Sequence, residues 1–141
     1  MDKTIIIILI ISLLVILLLV GILIFLIVSK KRNDVATVEK NNIDEKIITL
    51  NSKQLDVIQE ILSESNDQIK QALNDLKHVA KFVCVSPKQS VLLIDKKILK
   101  ALDDFKIDLY GKKLPSDDII LRKIKDIKIL YSERSVEYGG E

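Results

Sequence analysis

The chain has 141 residues, 48% of them hydrophobic and 30% charged, with a formal net charge of +2. So small a charge supplies no global field for attracting nucleic acid or an acidic substrate. One cysteine, Cys84, excludes an internal disulfide framework, and four glycines (21, 111, 139 and 140) leave no phosphate-cradling loop.

The apolar content is concentrated at the start. Between Lys3 and Lys30 there is no charge, and within residues 4–28 only Thr4, Ser12 and Gly21 depart from Ile, Leu, Val and Phe. As a helix, residues 4–28 would be about 37 Å long, against a hydrocarbon core of roughly 30 Å. In lipid the backbone must satisfy its own hydrogen bonds, so helix prevails over the strand preference of the β-branched residues. A cleaved signal peptide is disfavoured, because its apolar region is shorter and ends in small residues, whereas Ser29-Lys30-Lys31-Arg32 follows here. Residues 1–29 therefore read as a transmembrane signal-anchor of a single-pass protein. The span has no ionisable relay and no Gly-x-x-x-Gly pair, so neither transport nor tight helix pairing is signalled.

Lys30, Lys31 and Arg32 outweigh Lys3, which Asp2 offsets. The excess of cations on that side places the C-terminal body in the cytoplasm. The same three residues are positioned to meet lipid headgroups. The alternative is the reverse topology, an envelope or surface protein of a bacterium, phage or virus with an extracytoplasmic body.

Residues 30–42 read as a basic juxtamembrane linker and 43–81 as an amphipathic helical stalk. From Ile43 to Val83 there is neither Gly nor Pro. A heptad frame puts Ile48, Leu55, Leu62, Ile69 and Leu76 at a positions, with Ile58, Ala72 and Val79 among the d positions. This coiled-coil pattern predicts a seam for a homo-oligomer or a protein partner. Asn51 and Ser65 interrupt the d row, and the e and g positions are almost uncharged. The stripe is broader than a two-stranded seam needs, and so equally suits a helix packed on its own C-terminal domain.

Residues 82–138 form a small C-terminal module, α or α+β, followed by the tail 139–141. Phe82–Ser86 either ends the stalk or makes a short strand. Ser86-Pro87-Lys88-Gln89 starts a helix that Val91, Ile94, Ile98, Leu102 and Phe105 carry to about Asp104. Lys106–Tyr110 alternates like a short strand or extended link. Pro115-Ser116-Asp117-Asp118 opens a last helix, which either continues through Tyr131 or gives way to a hairpin.

No catalytic, cofactor-binding or metal-ligating constellation emerges. Cys84 with His78 could in principle form a nucleophile and base, but no third group orients them. A buried, inert Cys84 is the expectation. Asp44-Glu45, Asp103-Asp104 and Asp117-Asp118 read as exposed charged surface. Arg122, Lys123, Lys125 and Lys128 would suit a winged-helix nucleic-acid reader only if the hairpin formed, and they scatter around the polar arc. Nucleic acid and small-molecule substrates are therefore not expected. The expected function is a non-enzymatic, membrane-tethered adaptor or scaffold.

Overall fold

A computed structural model describes residues 3–140. Four helices follow in chain order: α1 (Lys3–Ile61), α2 (Asp67–Lys81), α3 (Gln89–Leu109) and α4 (Asp117–Gly139). No strand occurs among the described residues. The chain divides into two compact units, Met1–Val38 and Glu39–Glu141.

In the first unit, the apolar part of α1 is exposed along its length. Every Ile, Leu, Val and Phe between Ile5 and Val28 lies between 39% and 69% exposed. This helix is long and apolar enough to cross a membrane.

The second unit is an all-helical body built from residues 39–61 of α1 together with α2, α3 and α4. Leu55, Ile58 and Leu62 meet Ile69, Leu73 and Leu76 of α2 in one core. Ile98, Leu102, Phe105 and Leu109 of α3 join them, as do Ile120, Ile124, Ile127 and Tyr131 of α4. Spacings of three and four residues place each set on one helical face.

The continuous stalk over 43–81 is corrected: a turn at Leu62–Asn66 breaks it. Asn66 caps α2, its Oδ1 accepting the Ile69 N–H at 2.9 Å, with Asp67 in the first turn where the helix dipole favours an acid. The chain reverses there, and Lys77 of α2 pairs with Asp56 of α1 at 2.8 Å and bonds Gln59 at 2.6 Å. The predicted seam is thereby filled within the chain. Leu55, Ile58, Leu62, Ile69 and Leu76 are buried core, Ala72 and Val79 pack against it, and Ile48 is half-buried. No continuous apolar stripe over these eight residues remains for a second chain.

The α+β alternative resolves to α. Phe82–Ser86 is an irregular connector, not a strand. Lys106–Leu109 completes α3, because Leu102, Phe105 and Leu109 recur at helical spacing and are buried while Ile107 is exposed. The final hairpin does not form either. Ile120, Ile124, Ile127, Tyr131 and Arg134 continue one buried helical face, leaving Ile129, Val136 and Tyr138 outside.

Candidate functional site

Three charged residues sit where the helical period demands core. Asp44 precedes the buried Ile47 by three residues on α1. Asp95 lies four after Val91 and three before Ile98 on α3, and Arg134 lies three beyond Tyr131 on α4. Asp44 and Asp95 are fully buried and Arg134 nearly so. Taking charges out of water is costly unless they are paired and hydrogen-bonded, and these three find one another.

Arg134 Nε donates to Asp95 Oδ1 at 2.6 Å. Its Nη2 donates to the Cys84 carbonyl at 2.8 Å and, more loosely, to Asp44 Oδ2 at 3.4 Å. Asp44 Oδ2 also accepts the Ser86 N–H at 2.7 Å, and Asn51 Nδ2 reaches the Asp95 carbonyl at 3.4 Å. The cluster thus clamps the 82–88 connector between α1, α3 and α4. Ser86, expected to cap α3, accepts the Lys88 N–H on its Oγ at 3.2 Å, but the helix begins two residues later than expected, with Lys88 at the cap position.

One edge of the Arg134 guanidinium thus holds an oxygen of each carboxyl group. Burial pushes the Asp95 carboxyl up to about 6; Arg134 opposes this, while the neighbouring Asp44 carboxyl adds to it. Burial, and after it the charge of Asp95, also raises the Tyr131 phenol above its ordinary range.

Beside the cluster a largely apolar cleft of about 300 Å³ is lined by His78, Phe82, Cys84, Tyr131, Arg134 and Tyr138. His78 meets Phe82 edge to face, with ring centroids 5.0 Å apart, and the Arg134 guanidinium carbon lies 6.0 Å from the centre of the Tyr138 ring. His78 and Cys84 share this cleft, but no hydrogen bond joins them; Cys84 Sγ approaches the Phe82 carbonyl at 3.8 Å. The expected burial of Cys84 is corrected: the thiol residue is exposed, because the connector turns it away from the core.

Asp44 is a second correction, since it belongs to the buried cluster and not to charged surface. Lys30, Lys31 and Arg32 are exposed on α1. Arg122, Lys125 and Lys128 are exposed and Lys123 pairs with Asp108 across α3 and α4, with no adjoining strands among the described residues to form a wing. No group of three or more His, Cys, Asp or Glu side chains suited to a metal occurs among the described residues.

Asp95 and Arg134 escape a reading based on motifs because neither belongs to one. Their signal is a charge on an otherwise apolar helical face, twice in separate helices and with opposite signs. Comparison with protein-family models, curated proteins and solved structures finds no match to this chain.

Proposed function

We propose that this chain is a non-enzymatic, single-pass membrane protein that holds a small helical body at the cytoplasmic face of a bilayer, as an adaptor or scaffold for a protein partner. The observation that carries the reading is the uncovered apolar stretch of α1. The 22 exposed aliphatic and aromatic side chains of residues 5–28, interrupted only by Ser12 and Gly21, cannot be left in water, where burying each is worth roughly 1.5–3 kcal/mol. A bilayer satisfies all of them around the whole circumference of the helix, which a one-sided protein interface does not. Lys30, Lys31 and Arg32 at its C-terminal end favour a cytoplasmic body and contact with anionic headgroups.

An adaptor role is supported by what the body offers. Its core is closed on itself, the Asp44–Asp95–Arg134 cluster is buried, and the cleft beside it brings no nucleophile and base into contact. Partner recruitment then falls to the body's exposed surface, since the residues of the heptad seam are used inside.

The test is extraction. The full chain should stay with membranes through an alkaline carbonate wash. Leu14→Arg with Leu17→Arg, each costing roughly 2.5–3.5 kcal/mol at the centre of a span, should move it to the soluble or aggregated fraction. Release of the unaltered chain by carbonate would refute the anchor.

A further inference from the structure

The buried cluster holds two acids and one base. Arg134 on α4 is the only guanidinium or ammonium group bonded to Asp44 or Asp95 among the described residues. The other groups around the site are the Asn51 amide on α1, the Cys84 carbonyl and Ser86 amide of the connector, and the Tyr131 phenol on α4. On the α2 side the exposed His78 lines the adjoining cleft. Lys88 is engaged elsewhere, its Nζ bonding the carbonyls of Glu137, Tyr138 and Gly140 at the end of α4. With both acids ionised, the dry site would carry one uncompensated negative charge.

The hydrogen-bond geometry shows where that charge is met. Nε and Nη2 form one edge of the planar guanidinium, an edge that commonly grips both oxygens of a single carboxylate. Here it takes one oxygen from each of two: Oδ1 of Asp95 and Oδ2 of Asp44. The remaining oxygens, Asp44 Oδ1 and Asp95 Oδ2, are both buried without a donor among the described residues. Two carboxyl groups held on one guanidinium edge, each with an orphaned oxygen, are relieved together by one shared proton, as in other carboxyl pairs.

We propose that Asp44 and Asp95 share one buried proton, and that its loss to solvent unlatches the 82–88 connector from the helical body. With the proton gone, the two carboxylates repel and both orphaned oxygens lack a donor. The least costly relief is for Asp44 to turn toward water, which breaks its bond to the Ser86 N–H and removes one side of the clamp. Burial raises the Asp95 carboxyl to about 6, which puts the transition between mildly acidic and neutral pH.

The Ser86 amide reports this directly. Hydrogen exchange is followed on the full chain in lipid nanodiscs from pH 5 to pH 7.5, with each rate divided by its unfolded-chain value at the same pH. Protection at Ser86 should fall tenfold or more across the range. Asp95→Asn, which puts an N–H donor in place of the proton, should hold protection at its low-pH level throughout. His78→Gln should keep the unaltered chain's profile. A flat profile in the unaltered chain, a sloping one in Asp95→Asn, or loss of the slope in His78→Gln would overturn the proposal. Should Asp95→Asn not fold, a carbon-13 titration of the Asp95 carboxyl in the unaltered chain decides instead: protonation above the ordinary carboxylate range supports the latch, and a value near 4 removes it.

Discussion

Arg134 Nε donates to Asp95 Oδ1 at 2.6 Å, between side chains only 4% and 0% exposed, and this bond ties α4 to α3 inside the body. Through the Cys84 carbonyl and Asp44 the same guanidinium also fixes the connector and α1. One side chain thereby joins α1, the connector, α3 and α4.

Replacing Arg134 with Met should accordingly destabilise the body by about 3–5 kcal/mol, the usual cost of leaving a buried charge without its partner. Urea unfolding followed by circular dichroism reads this as a lowered midpoint. Arg134→Lys should recover less than half of the loss, because one ammonium cannot reproduce the planar edge that serves Asp95 and Asp44 together.

Stability should run against the usual direction in mild acid. The Asp95 carboxyl is raised from 3.8 in the unfolded chain to about 6 in the folded one, so the folded state binds the extra proton. Its contribution is full below about 3.8 and is lost as pH rises through about 6. At 1.36 kcal/mol per unit the whole loss is about 3 kcal/mol, of which about 2 kcal/mol falls between pH 4.5 and pH 7, visible as a higher urea midpoint at pH 4.5 than at pH 7. An unchanged or lower midpoint at pH 4.5 would contradict this.

The turn between α1 and α2 rests on Asn66. Its Oδ1 caps α2 while its Nδ2 donates to Asp117 Oδ2 at 2.7 Å, at the start of α4. Asn66→Ala should cost about 1 kcal/mol. Asn66→Asp, ordinarily as good a cap, should do no better, since it sets a second carboxylate against Asp117. Thermal unfolding of both variants checks the pair of outcomes.

The end of α3 separates helix from strand by a simple contrast. Phe105 is fully buried and Ile107 exposed, whereas a strand would put both on one face. Phe105→Ala should cost about 3–5 kcal/mol and Ile107→Ala less than about 0.5 kcal/mol. Comparable losses at the two positions would argue for the extended arrangement.

What could be read in advance depended on whether one period dominated. Thr4–Val28 is apolar at every phase of the helix, and Ile120–Tyr131 keeps a three–four spacing that the structure extends to Arg134. The break at Leu62–Asn66 was harder to see because it contains neither Gly nor Pro. Its signal is the polar run Ser63–Asp67, rich in capping residues, which a heptad frame absorbs as one weak d position at Ser65. Ile107 and Leu109 alternate over too short a stretch to compete with burial of Phe105 and Leu109 on one helical face. The charge cluster was hidden for a different reason. Asp95 and Arg134 show singly only as charges on otherwise apolar helical faces, and only tertiary packing brings them together with Asp44.

A bilayer-held, cytoplasmic body is tested most sharply through Cys84, the chain's one thiol and an exposed one. Bacterial spheroplasts expressing the full chain are treated with a membrane-impermeant maleimide before and after lysis. Cys84 should resist labelling while the membrane is sealed and react fully once it is opened. Complete labelling in sealed spheroplasts would place the body on the outer side and contradict this topology.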